Sequence, residues 1–194
     1  MLIRCGDDLL AAGVDSPADA QALAARLREA GEWLEVVPGI DSVVVRFDLD
    51  STTGSEAEAA IEAVLAQGIR PLPATEQVVD IEVVYDGPDL QELSDKTGLS
   101  VSEIIDLHTG TEYPVEMVGF TPGFAFIGGL DEKLRVPRRE QPRQRVPAGS
   151  VGIADGRTGL YAMGSPGGLT LIGRTDHKLF DATAAEPFAL EPGM

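Results

Sequence analysis

The sequence predicts an α+β protein of two units, an N-terminal α/β sandwich over residues 1–76 followed by a C-terminal β-barrel over residues 77–194. Three observations carry that expectation. Residues 1–70 switch between apolar runs of strand length and segments whose apolar side chains recur every three or four positions. Pro71-Leu-Pro73-Ala-Thr75 then breaks both patterns and reads as a linker. From Tyr113 onward, short apolar strands alternate with glycine and proline and no amphipathic helix of useful length occurs, the pattern of a closed or nearly closed barrel.

Each element has a local reason. Met1–Cys5 and Leu9–Val14 are short apolar strands. Ser16 caps a first helix with Pro17 at its first position, Asp19 in its first turn and Gly31 past its end. Ala20, Leu23, Ala24 and Leu27 share one face of it. Trp33–Val37 and Ser42–Phe47 are strands separated by Pro38-Gly39. A second helix is expected from Ser55 to Gln67, burying Ala57, Ala60, Ile61, Val64 and Leu65, with Gly68 ending it. This order suggests helices on one face of a mostly antiparallel sheet, ferredoxin-like in outline. Val78–Tyr85 reads as a strong strand, and Asp89–Lys96 and Ser100–His108 as two short helices, the second opened by a Ser100/Glu103 capping box. Further strands are expected at Pro114–Val118, Phe124–Ile127, Val146, Val151–Ile153, Gly159–Met163, Thr170–Ile172 and Phe188–Leu190. Phe120, Phe124 and Phe126 are expected to fill the barrel core.

Composition excludes several functions. An apolar fraction of 43% supports a packed core. The single cysteine, Cys5, rules out an intrachain disulfide and fits a reducing cytoplasm. The opening residues lack the basic and apolar regions of a signal peptide, and no apolar run approaches the roughly 20 residues of a membrane span. A net charge of −17 opposes nucleic-acid binding. The helix pair at 89–108 resembles a DNA-reading motif, but it carries five acids and one base, so phosphate would be repelled. No Walker-type loop, Cys-x-x-Cys or His-Glu-x-x-His occurs, so neither ATP nor a metal has a self-evident site.

The charge is uneven. Residues 1–132 hold 26 acids and 6 bases, net −20, whereas residues 133–194 hold 6 acids and 9 bases, net +3. Lys133, Arg135, Arg138, Arg139, Arg143 and Arg145 fall within thirteen residues. Such a segment attracts an anionic small molecule or an acidic partner surface; the alternative is internal pairing with the acidic first half. Arg139, two residues after Pro137, and Arg143, next to Pro142, are the leading ligand candidates, because guanidinium forks take carboxylate or phosphate bidentately. Gly149-Ser150 and Gly164-Ser165-Pro166-Gly167-Gly168 could form nests of N–H groups for an oxyanion, or simply close strands. Ser165 lies outside any Gly-x-Ser-x-Gly elbow. His108 could serve as a general base on an attacking water, or it could end its helix against the last carbonyls.

Taken in series, Tyr113, Gly119-Phe120, Pro122-Gly123-Phe124, Pro137-Arg138-Arg139, Pro142-Arg143, Gly149-Ser150, Ser165-Pro166-Gly167-Gly168 and Gly173-Arg174-Thr175 resemble the family that includes allophanate hydrolase subunit 1, the B component of 5-oxoprolinase and KipI-type inhibitors of a sensor kinase. The resemblance covers essentially the whole chain. It implies that the second unit is a cyclophilin-like β-barrel. It also implies a heteromer with a second cyclophilin-like subunit, of the type of allophanate hydrolase subunit 2 or the 5-oxoprolinase C component, joined in bacterial 5-oxoprolinase by a third component. That assembly opens a small lactam or amide with ATP as co-substrate, and Arg174 joins the substrate-binding candidates. The alternative within the family is a regulator that inhibits a histidine kinase by docking on it. Leu169 stands where the family usually has tryptophan, and Asp176 where it usually has proline. The sequence ends at Pro192-Gly-Met194, where relatives continue with a final strand, so either the last strand is missing or a partner completes the sheet.

Overall fold

The computed structural model describes residues 1–70, 75 and 77–194. Residues 1–70 and 77–192 fall into two compact units, each with its own core. The linker expected at Pro71–Thr75 lies, save for Thr75, outside the described residues.

In the first unit, β1 (Leu2–Arg4), β2 (Leu9–Gly13), β3 (Glu35–Pro38) and β4 (Ser42–Arg46) form one sheet in the order β1-β2-β4-β3, every neighbouring pair antiparallel. Helix α1 (Pro17–Ala30) starts as its sequence dictates, with Ser16 Oγ accepting from the Asp19 N–H at 3.1 Å. Helix α2 (Gly54–Leu65) starts one residue earlier than expected, because Thr53 and Glu56 form a reciprocal capping box. Alternation along the strands sends Leu10, Ala12, Val36, Val43 and Val45 to the helix side, where they meet Leu23, Leu27, Ala57, Ile61 and Val64. Ala60, expected in that stripe, is exposed.

The second unit is layered. A five-stranded antiparallel sheet runs β11 (Thr170–Arg174), β8 (Ser150–Ala154), β9 (Arg157–Leu160), β6 (Ala125–Ile127), β5 (Val115–Val118). Helices α3 (Leu90–Thr97) and α4 (Val101–Thr109) supply Leu90, Leu93 and Ile104 to a core shared with Val151, Ile153, Leu160 and Ile172. A two-stranded ribbon, β7 (Arg143–Val146) with β10 (Ser165–Gly167), contributes to a separate cluster of Phe124, Val146, Ala154, Tyr161, Leu169 and Leu171. Gly152 and Gly159, opposite one another on β8 and β9, make room for that cluster: a Cβ on Gly159 would lie 2.7 Å from Leu169 and 2.9 Å from Phe124. Among the described residues no helix is long and apolar enough to cross a membrane.

Four sequence expectations are corrected. The described strands do not close into a barrel; the ribbon stands apart from the five-stranded sheet. Pro142, Pro147 and Pro166 flank or enter it without a backbone donor, which limits where it can join a ladder. Val78–Tyr85 is not a strand. It keeps the period-2 packing, with Val79, Ile81, Val83 and Tyr85 turned to the core, but bridges the sheet only where Val84 meets Arg174. Phe188–Leu190 likewise reduces to one bridge, Phe180 with Phe188. Conversely Ser165–Gly167, read as a turn, is a strand.

Candidate functional site

The arginine segment converges on one buried carboxylate. Asp89 occupies the N-cap position of α3, yet its side chain makes no cap hydrogen bond. Its backbone instead runs beside β11: the Asp89 N–H donates to Leu171 O at 3.1 Å, and the Leu171 N–H donates to Asp89 Oδ2 at 2.7 Å. That reciprocal clamp fixes the carboxylate, which is 4% exposed, with Oδ1 free to face the ribbon. Oδ1 accepts from Arg143 Nη2 at 2.5 Å and from Arg139 Nη1 at 3.2 Å. Arg143 Nη1 also reaches Leu169 O at 3.5 Å, and Arg139 Nη1 reaches Glu92 Oε2 at 3.3 Å. The Arg139 Nε is buried without a hydrogen-bond partner. Two guanidiniums therefore share one desolvated carboxylate, while the more exposed Glu92 is divided between Arg139 and Lys96, so that three bases meet two acids.

Both arginines sit where they do because of the ribbon. Arg143 opens β7, paired in register with Gly167 on β10, and the Arg139 N–H donates to Gly168 O at 2.8 Å. Beneath the ribbon lies Tyr161, whose hydroxyl would lie 2.1 Å from a Cβ on Gly167. Burial pushes the Tyr161 hydroxyl above its ordinary range, partly offset by the Leu169 N–H and by the charges of Arg138 and Arg143. Ser165 is buried and its hydroxyl turns back to Pro166 O at 3.2 Å. Arg139, Arg143, Ser165, Gly167 and Gly168 are thus one neighbourhood, held by β7 and β10.

The other candidates lie elsewhere. Arg174 extends from the end of β11 and pairs with Asp86 at 2.9 Å, both side chains being well exposed. Gly149 and Ser150 do not offer a nest. The Gly149 N–H donates to Tyr161 O at 2.7 Å and the Ser150 N–H to Pro147 O at 3.3 Å, so the strand turn has already consumed both donors.

His108 has both ring nitrogens occupied. Thr158 Oγ1 donates to Gly152 O at 3.3 Å, which leaves it to accept from His108 Nε2–H at 3.1 Å, and Nδ1 then accepts from the Tyr85 hydroxyl at 2.6 Å. Each proton in this chain has one place to go. Burial lowers the imidazole to about 4 and raises the Tyr85 hydroxyl to about 12, so the network stays neutral at ordinary pH. Tyr113 adds a hydrogen bond to His108 O at 2.9 Å.

Two features escaped the sequence. Asp89 was legible only as the start of a helix, because its partners lie 50 and 54 residues away. Phe120, expected in the core, is 65% exposed and holds a φ of +70°. The Thr121 N–H donates to Gly119 O across it, closing a three-residue turn, and the Phe124 N–H returns to Thr121 O. A bulky aromatic in the left-handed region is strained, and here the strain presents a ring to solvent, edge-on to Phe124 at 5.5 Å. The hydroxyl of Thr121 is buried beside it without a partner.

Comparison with known proteins identifies the family. The family model of the carboxyltransferase domain, subdomain C and D, matches residues 2–190. The chain is 38% identical over 174 residues to the B component of 5-oxoprolinase from Escherichia coli O157:H7, covering 88% of this chain and 79% of that protein. The solved structure of TTHA0988 superposes with a TM-score of 0.78 at 34% identity, covering 100% of this chain but only 37% of that one. The urea amidolyase of Kluyveromyces lactis shares the fold, with a TM-score of 0.79 at 16% identity over 98% of this chain and 14% of its own. The chain belongs to the carboxyltransferase subdomain C and D family, the family of the 5-oxoprolinase B component.

Proposed function

We propose that this chain is a subunit of a heteromeric, ATP-dependent amidohydrolase that opens a C–N amide bond together with a second subunit of the cyclophilin-like type. The observation that carries the reading is the pair Arg139 and Arg143 on the shared carboxylate of Asp89, in a chain alike along most of its length to the B component of a 5-oxoprolinase. Asp89 and Glu92 together face Arg139, Arg143 and Lys96, which leaves one positive charge unmatched. A substrate carboxylate, as on 5-oxoproline, or the oxyanion of an activated acyl group would complete the charge balance. In this reading Asp89 positions the two forks, and Ser165, Gly167 and Gly168 form the wall beside them. His108 acts as a positioning residue: with both ring nitrogens occupied it ties α4 to Tyr85 and to Thr158 of β9 instead of taking a proton from water.

ATP is the co-substrate of the complex. What this chain offers an anion is guanidinium and the unpartnered Arg139 Nε; with no phosphate-cradling glycine loop in its sequence, we assign the nucleotide to a companion subunit. A cytoplasmic location goes with that dependence. A ferredoxin-like description of the first unit is supported by β4 lying between β2 and β3; a cyclophilin-like description of the second rests on the family resemblance.

The test is reconstitution. The chain, mixed with its companion subunits, is expected to release glutamate from 5-oxoproline only when ATP is present, and Arg143→Met is expected to lower kcat/KM by about 100-fold in an intact complex. A stable complex that turns over neither 5-oxoproline nor a related amide would end this reading.

A further inference from the structure

Among the described residues the helices of the first unit cover one face of its sheet, and the other face has an apolar central row. An antiparallel sheet with one covered face ordinarily turns polar side chains outward from the other. Here the central row across all four strands is Ile3, Ala11, Val44 and Val37, aligned by direct pairing of Ile3 with Ala11, Ala11 with Val44, and Val44 with Val37. Ile3 and Val37, on the two edge strands, are 47% and 46% exposed. On one side this row is flanked by Leu9, Arg46 and Glu35, on the other by Gly13 and Ser42. At strand spacing the apolar row runs roughly 14 Å across the four strands, with the flanking rows mixed in character.

Its border is acidic. Asp7 and Asp41 stand exposed in the turns at its ends, and Glu35 lies at the edge of β3. The single base on the face, Arg46, is bound by Asp8 at 2.8 Å and feels Glu35 as well. Residues 1–70 hold 13 acids and 5 bases, net −8. Two copies of this chain would bring like charges together, so self-association is disfavoured and a partner with a basic border is favoured.

We infer that this face docks a companion protein subunit whose own contact surface is an apolar patch rimmed by lysine and arginine. The inference rests on the subunit reading above and adds where the contact is made; it also gives a use to the acidity of the N-terminal half, which the arginine site leaves unexplained.

The experiment measures binding of the purified second subunit, of the cyclophilin-like type, from the same genome to the full chain by calorimetry. Ile3→Asp and Val37→Asp are expected to weaken Kd at least 30-fold with the Trp33 unfolding transition unchanged. Glu35→Lys tests the rim without touching the apolar row and is expected to weaken Kd several-fold, as is raising salt from about 50 to 300 mM with the unmodified chain. Unchanged affinity in all three variants overturns the inference and leaves the subunit reading intact. Failure of the unmodified chain to bind overturns both. A dimer of this chain alone, by sedimentation, that Val37→Asp dissolves makes a second copy the occupant and likewise overturns it.

Discussion

Replacing Asp89 with alanine removes three contacts at once: the acceptor for Arg139 Nη1, the acceptor for Arg143 Nη2, and the acceptor for the Leu171 N–H of β11. The amide lies at a buried strand edge, and leaving it orphaned costs about 1–3 kcal/mol. Breaking a buried ion pair by removing one partner costs about 3–5 kcal/mol, but the two arginine side chains are partly exposed and recover some hydration. A total of about 3 kcal/mol follows, or a fall of roughly 10 °C for a unit of this size. Asp89→Asn keeps one acceptor and is expected to cost about half. The two units carry separate probes, since the only tryptophan is Trp33 and all three tyrosines, Tyr85, Tyr113 and Tyr161, lie after residue 76. The loss belongs in the tyrosine near-UV transition. Adding Arg143→Met to Asp89→Ala should cost less than the sum of the single changes, with a coupling of at least about 1 kcal/mol. A tyrosine midpoint that moves by less than about 2 °C in Asp89→Ala refutes the claim that this carboxylate organises the site.

Further expectations follow from the same contacts. His108 is held below its ordinary value, at about 4, so the unfolded chain binds its proton first. Stability from this residue is complete above about pH 6.5 and is lost as pH falls toward 4, by up to about 1.4 kcal/mol per pH unit. Urea titrations between pH 5 and 7 should show that slope, and His108→Gln should flatten it while lowering stability at pH 7. Phe120→Gly exchanges left-handed strain for a lost edge-on contact and more chain entropy, so its stability should stay within about 1 kcal/mol of the parent. Phe124→Ala, in the buried cluster, should by contrast cost about 3–5 kcal/mol. Equal losses in thermal melts of the two variants would show that Phe120 is ordinary packing. Gly167→Ala drives a methyl into Tyr161 and should cost about 2 kcal/mol, with part regained in Gly167→Ala/Tyr161→Phe; no loss in the single variant would place that ring elsewhere.

The helices and caps were legible because their causes are local. Ser16 with Asp19 and Ser100 with Glu103 close on themselves within four residues and fold as expected, while the equally local Thr53 with Glu56 went unread and starts α2 one residue early. Four strands of the five-stranded sheet were legible from their apolar runs, while β9 runs Arg157–Leu160 where Gly159–Met163 was expected. What failed was pairing. Val78–Tyr85 has the alternation of a strand and uses it for packing, but a ladder needs a neighbour in register and only Val84 finds one. Ser165–Gly167 has the composition of a turn and becomes a strand because Val146 and Arg143 lie opposite it.

The arginine neighbourhood divides the same way. Residue type and spacing alone determined that a guanidinium cluster stiffened by proline would be presented somewhere, since charge and fixed φ belong to single residues. They also determined that a protein of net charge −17 would hold an acidic N-terminal field. Tertiary structure decided that the forks meet on Asp89, that the Gly149 and Ser150 donors are spent on the turn, that both His108 nitrogens are taken, and that Phe120 points outward. Each of these depends on which distant atom arrives within about 3 Å. That distance is set by the packing of strands and helices within each unit, a property of the tertiary fold that no short stretch contains.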